Sequence, residues 1–346
     1  MYICLYWQKI YYMKSSIMQH EALVYSLDPK ITISQFQAQE HIVYDASKYS
    51  KLQRRVTEHT IWAMMISDVD FHYKLLSIRP KVQLLYYLWN ISLLNHKILG
   101  IVGPRKMSIY GKKVVETLFT PAADYDLVTI SGLAEGVDQL CHQLSREHKI
   151  PTIAVLGWGL GRYLRRQECS LIEQIVADGG LVISEYKLFE QPTHYTFPQR
   201  NRLIAGLADV LFLPEAGQKS GSLITVDCAI AMKKPVYATP NTIFAPTSAG
   251  ILQLIETGYV KPIVDLQKFL ATHFISKHIS SRSQTTVVLT DQEQWLLSAL
   301  SRDQWRELQN LVQTTGVNIQ EIIPLLTMLE IKWLVAQDVP GRYILM

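Results

Sequence analysis

The chain has 346 residues, 48% hydrophobic and 18% charged, which supplies apolar material for two or three packed domains and excludes intrinsic disorder as the default. A net charge of +4 and a pI near 8.7 permit a polyanionic partner without specifying one. Its cysteines, Cys4, Cys141, Cys169 and Cys228, form no CxxC pair and no zinc spacing, which argues against a disulfide scaffold or a metal site and for a reducing cytoplasm.

The opening stretch from Met1 to Trp7 is apolar but has no basic segment before it and no small-residue cleavage site after it, so the expected start lies at Met13 or Met18. No apolar run reaches the roughly 18 residues of a membrane span. Residues 1–85 read as a mostly helical N-terminal region, because apolar residues recur at helical spacing from Leu52 to Met65 and turn signals are few.

From Ile98 the pattern changes to short, uniformly apolar runs that alternate with helical segments: Ile98–Val102, Leu127–Ile130, Thr152–Leu156, Leu181–Ser184, Val210–Leu213 and Pro235–Ala238. Strands without polar alternation are buried on both faces, and alternation with helices means parallel crossovers, so residues 86–270 are expected to form an open α/β sheet. Residues 271–287 read as a linker, and Ser276–Gln284 within them is rich in Ser with little apolar content. In 288–346, helices are expected at Asp291–Leu300, Asp303–Thr314 and Asn318–Leu329, then two short strands, which gives a winged-helix reading. That segment has four Lys/Arg against seven Asp/Glu, so it carries −3 and leaves +7 for the rest of the chain.

Ligands of such sheets bind at the carboxyl ends of the strands, and four expected strands run into loops of Gly or Ser. Gly103-Pro104-Arg105-Lys106-Met107-Ser108 offers a close backbone approach, a helix cap at Ser108 and two cations beside a helix N-terminus. Taken alone, it reads first as a plain βα turn with solvated side chains. Ser131-Gly132 opens the second loop, and after it Asp138 and His142 lie four apart on one helix face, a pair read as structural because a metal would need a third ligand. Gly157-Trp158-Gly159-Leu160-Gly161 approaches a dinucleotide fingerprint with Glu185 as the ribose-binding acid, but Arg162 occupies the third glycine position. Arg162, Arg165 and Arg166 make either a basic cluster or a solvated helix face. Ser220-Gly221-Ser222 is not a Walker A loop, since Leu213 and Gln218 stand where its glycines belong.

In Thr196–Gly206, Pro198 is expected to precede a short helix and to put Arg200, Asn201 and Arg202 near its first turn. Cations there oppose the helix dipole, a local conflict that an anionic ligand would resolve. Arginine can fork onto a phosphate, Asn201 can reach a base edge or cap the helix, and Phe197 or Tyr195 can stack on a base.

Val102-Gly-Pro-Arg105, Ser131-Gly-Leu-Ala-Glu-Gly-Val-Asp138, the run from Phe197 to Ala208 and Glu215-Ala-x-x-x-Ser-Gly-Ser-Leu-Ile-Thr225 stand in the order and spacing of a known family. Together they resemble the DNA-processing protein A family (DprA, also called Smf), over about Ser67 to Val264, and the tail resembles its winged-helix domain. The resemblance implies an extended Rossmann-like domain that binds single-stranded DNA, forms homodimers and loads the RecA recombinase during natural transformation, with no cofactor, no metal and no catalysis. By motif position it assigns DNA contact to Arg105, Ser131, Gly132, Phe197, Arg200, Asn201, Arg202, Ser220, Gly221 and Ser222, and the reading of the glycine loops adds Gly103, Lys106, Gly157 and Gly159 as phosphate contacts. Pro104, Leu164, Arg165, Glu168, Asn241 and Leu252 depart from the family pattern. The alternative is a nucleotide-binding or nucleoside-monophosphate-processing enzyme, because Pro214-Glu215-Ala216-Gly217 resembles the acidic glycine loop of phosphoribohydrolases.

Overall fold

The computed structural model describes residues 50, 53–54, 56, 61–66, 72–164, 170–277, 290–300, 306–331, 335–339 and 341–345. They fall into two compact units, Met1–Lys277 and His278–Met346.

Among the described residues of the first unit, a few helical positions precede strand β1 (Ile61–Met65), the short helix α1 (Tyr73–Leu76) and β2 (Leu84–Trp89). The unit continues through β3 (Ile98–Ile101), α2 (Ile109–Ala122), β4 (Tyr125–Asp126), β5 (Val128–Ser131), α3 (Val137–Glu147) and β6 (Thr152–Val155). After α4 (Gly161–Leu164) and α5 (Ser170–Ala177) come β7 (Leu181–Ser184), α6 (Thr196–Leu207), β8 (Val210–Leu213), α7 (Ser222–Ala231) and β9 (Val236–Ala238). The unit closes with α8 (Ala249–Glu256), β10 (Lys261–Pro262), α9 (Leu266–His273) and β11 (Ile275–Ser276).

Nine of these strands form one sheet in the order β1-β2-β7-β6-β5-β3-β8-β9-β10, parallel from β7 to β10. The six expected parallel strands are all present. Every residue of β3, β5, β6, β7 and β8 is buried, which is why their sequences show no polar alternation. Successive residues still serve opposite faces: Ile98 and Val102 pack with Leu203 and Ala229, whereas Leu99 and Ile101 pack with Val115 and Phe119.

The sheet is wider than expected, and the helical reading of 1–85 is corrected at its end. Gln53, Arg54 and Val56 are helical, but Ile61–Met65 is a strand, antiparallel to β2 from Ile61↔Leu88 to Met65↔Leu84. β2 in turn pairs antiparallel with β7. Leu84-Leu-Tyr-Tyr-Leu-Trp89 is rich in aromatic residues and fits a pleated surface, and its buried Tyr86 and Leu88 share a core with Val56. Residues 1–49, with Met13 and Met18, lie outside the described residues.

β3 is the pivot of this topology. The chain runs outward from it through β5, β6 and β7, then returns to its other side as β8, β9 and β10. The crevice at the carboxyl ends of β3 and β8 is therefore a topological switch point, the place where sheets of this type bind ligands.

The first residues of the expected linker 271–287 belong to the fold: residues 271–273 end α9, and β11 pairs antiparallel with β4, while 278–289 lie outside the described residues. The second unit has helices α10 (Asp291–Ser298), α11 (Leu308–Thr315) and α12 (Ile319–Ile331). With them is an antiparallel sheet of β12 (Arg306–Glu307), β13 (Val335–Val339) and β14 (Arg342–Leu345) in the order β12-β14-β13. Its own core contains Leu296, Leu311, Ile322, Leu326, Leu329 and Tyr343. The middle helix starts at Leu308, five residues later than expected, because Arg306–Glu307 pairs with β14.

Candidate nucleic-acid interface

A pocket of about 510 Å³ opens at the switch point, a size that suits a nucleotide-sized ligand. The loop after β3 contributes Gly103, Pro104 and Arg105, the loop after β5 contributes Ala134, and the loop after β8 contributes Ser220, Gly221 and Ser222. Phe197, Pro198, Arg200 and Asn201 of α6 form another wall.

The first wall is fixed by a buried acid. Ser108 caps α2 by accepting the Gly111 N–H at 3.1 Å. Glu215, fully buried, accepts the Ser108 N–H at 2.6 Å and the Ser108 hydroxyl at 2.5 Å. The loop from β3 to Ser108 leaves Arg105 exposed, its guanidinium 5.3 Å from the centroid of the Phe197 ring. Trp158 packs on the same ring at 5.8 Å. Gly136 (φ 85°) completes the wall: a Cβ there would strike the carbonyl oxygens of Pro104 and Arg105, so only glycine fits. α7 begins at Ser222, so the positive end of its dipole faces the pocket, and the Ser220 and Ser222 hydroxyls meet at 2.7 Å.

Arg200 differs from the expectation. α6 starts at Thr196, where the Thr193 hydroxyl oxygen accepts the Thr196 N–H at 3.2 Å and the Thr196 hydroxyl oxygen accepts the Thr193 N–H at 3.0 Å. Arg200 and Arg202 thus lie in the second turn, and the argument from the helix dipole does not apply to them. Arg200 is 2% exposed and donates to the carbonyl oxygens of Gly132 and Val155, tying the β5 loop to the end of β6. Its charge is met by Asp138. Burial raises the Asp138 carboxyl to about 6, with Arg200 pulling it down, and burial lowers Arg200 to about 10, with Asp138 opposing. His142 is buried and held near 3 by burial, with Arg200 adding to the shift; its Nδ1 meets the Thr152 hydroxyl at 2.8 Å.

The pocket brings together Gly103, Arg105, Phe197, Arg200, Asn201, Ser220, Gly221 and Ser222. Ser131 lies beneath it, its hydroxyl donating to the Ile101 carbonyl at 2.6 Å, and Gly132 leaves room for Arg200 and Asp138. Gly157 stands behind Phe197, and Gly159 packs on the backbone of Lys187 and Leu188, so the third loop backs the site instead of lining it. Arg202 pairs with Glu185 at 2.6 Å, which gives that acid an arginine partner in place of a ribose. Lys106 is exposed and outside the pocket lining. Pro104 lines the pocket, Asn241 accepts the Thr242 N–H at 2.7 Å, Leu252 is within α8, and Arg165 and Glu168 lie outside the described residues.

Among the described residues there is no group of three or more His, Cys, Asp or Glu arranged for a metal, and no helix long and apolar enough to cross a membrane. Sequence reasoning missed His194 and Trp158 as neighbours of the site. Trp158 stands inside the Gly157–Gly161 loop and His194 stands beside Tyr195, and those positions were the available signal.

The DNA recombination-mediator protein A family matches residues 62–273, more than half of the chain. The chain belongs to that family. Among its relatives, DNA processing protein DprA of Streptococcus pneumoniae is 36% identical over 193 residues, 56% of this chain and 68% of that protein. Protein Smf of Escherichia coli is 30% identical over 253 residues, 71% of this chain and 67% of that protein. The crystal structure of the S. pneumoniae protein is similar with a TM-score of 0.57 at 28% identity, over 77% of this chain and 97% of that one. DNA processing protein A of Helicobacter pylori, a structure described for its single-stranded DNA binding mode, gives a TM-score of 0.52 at 27% identity, over 61% of this chain and 94% of that one.

Proposed function

We propose that the switch-point pocket binds single-stranded DNA without catalysing a reaction on it, and that the chain mediates homologous recombination in the cytoplasm. The observation that carries this reading is the convergence of Arg105, the α7 N-terminus and the Phe197 ring on one crevice. Arg105 holds a backbone phosphate, the Ser220–Ser222 loop and the α7 N-terminus hold another, and a base stacks on the aromatic wall. Arg200 lines the floor and positions the loops. Exposed Tyr195, with the His194 ring 3.7 Å away, offers a second stacking surface at the rim. Engagement of Glu215 by Ser108 supports a structural role for the acid that the enzyme reading would need.

The three helices and small antiparallel sheet of 278–346 support a winged helix. Its negative charge favours protein contact over DNA contact, with RecA and a second copy of this chain as the partners that the family resemblance suggests. Fluorescence anisotropy with single- and double-stranded oligonucleotides over a salt series tests the proposal. Tight, salt-dependent binding to the single strand and weaker binding to the duplex are expected; equal affinity for both would overturn it.

A further inference from the structure

The pocket uses one end of the parallel sheet. At the other end, where the strands begin, lysines stand at neighbouring positions: Lys97 directly before β3, Lys233 and Lys234 shortly before β9, and Lys261 as the first residue of β10. β3, β8, β9 and β10 are consecutive in the sheet, so at about 4.8 Å per strand the row spans about 14 Å.

Asp209 stands directly before β8, and this acid is already engaged. Its Oδ2 accepts from Lys74 Nζ at 2.9 Å and from the Ile98 N–H at 2.8 Å, and buried Lys74 also donates to the His96 carbonyl. Lys97, Lys233 and Lys261 stay exposed, and Lys261 Nζ lies 5.9 Å from the Tyr237 ring centroid. Exposed Glu256, at the end of α8, and exposed Asp126, just before β5 and 3.8 Å from His96, are further carboxylates near the row, and the lysines outnumber them. The charges share one field. Burial lowers Lys234, Asp209 opposes, and Lys74 and Lys97 add to the lowering; burial also lowers His273, with Lys97 and Lys261 acting the same way.

We infer that this lysine row is a second nucleic-acid contact surface, which holds the phosphodiester backbone of a strand without reading its bases. Lysines are mobile point charges suited to sequence-independent phosphate contact, and each phosphate neutralised releases counterions. The inference rests on the reading of a polynucleotide as the ligand, but not on which pocket residues hold it. A short strand then uses the pocket alone, whereas a long strand gains the row as well.

The test is anisotropy with the full chain, using an oligonucleotide of about 6 nucleotides and one several times longer, at several salt concentrations. The variant Lys97→Gln/Lys233→Gln/Lys261→Gln is expected to bind the short strand like the wild type and the long strand about tenfold more weakly, with a salt slope shallower by about 2. The corresponding triple arginine variant is expected to retain wild-type binding. Unchanged affinity and slope for the long strand, or an equal loss on both lengths, overturns the inference. If Arg105→Ala weakens neither length while the glutamine variant still weakens the long one, the pocket reading fails and the lysine row stands.

Discussion

Arg200 and Asp138 meet at the floor of the pocket beside Gly132, where an added Cβ would come 2.5 Å from Arg200 Nη2 and 2.6 Å from Asp138 Oδ2. Removing one member of such a pair leaves the other charge buried and alone. Arg200→Met is expected to cost about 3–5 kcal/mol in urea unfolding, and Arg200→Met/Asp138→Leu to recover much of it.

Arg105 should separate from Arg200 in this respect. It is exposed and makes its contact with the face of Phe197, so Arg105→Ala is expected to unfold like the wild type and to bind single-stranded DNA at least about tenfold more weakly, with a salt slope shallower by about 0.7. Arg202→Ala should affect both measurements, because it strips Glu185 of its partner.

Two buried groups give the domain opposing pH responses. Asp138 is raised from 3.8 to about 6, so its stabilising contribution is full below pH 3.8 and is lost as pH rises through about 6. His142 is lowered from 6.5 to about 3, so its contribution is present above pH 6.5 and is lost as pH falls toward 3. Between about pH 4 and 6 the slopes oppose, each as large as about 1.4 kcal/mol per pH unit. His142→Gln removes one of them, and urea midpoints for this variant should rise on acidification through that window relative to the wild type.

Glu215 tests whether the acid beside the Ser-Gly-Ser loop is structural. Glu215→Ala leaves the Ser108 N–H and hydroxyl without their acceptor and should cost about 1–3 kcal/mol. Glu215→Gln, which keeps an acceptor for the N–H, should preserve most of the stability and DNA affinity. A panel of nucleoside monophosphates should release no free base with either variant or with the wild type.

A chain ending at Lys277 retains the whole nine-stranded sheet and its cores. Its affinity for a short single strand should match that of the full chain within about twofold, measured by the same anisotropy titration. A large loss would place DNA contacts in the C-terminal unit.

The parallel sheet was legible because full burial erases polar alternation, and the glycine loops were legible because close packing leaves its own residue signature. β1 and β2 were harder. Ile61–Met65 follows a helical segment without a strong turn signal, and its strand character depends on β2, which is distant in sequence. Arg200 was visible as a charge but not as a buried one. Even so, Thr196, Arg200, Leu203, Ile204 and Leu207 recur at helical spacing on the buried face of α6, and that periodicity set Arg200 among core residues. Its partner Asp138 lies on another helix, and no local spacing joins the two.

The switch point has a consequence for stability. Gly103–Arg105 and Ser220–Ser222 come from parts of the chain that become neighbours only when the returning β8 docks against β3. A ligand spanning both loops therefore recognises the assembled sheet and not its separate halves. A single strand bound across both loops should raise the unfolding midpoint with ligand concentration, as a clamp across the seam of the domain would.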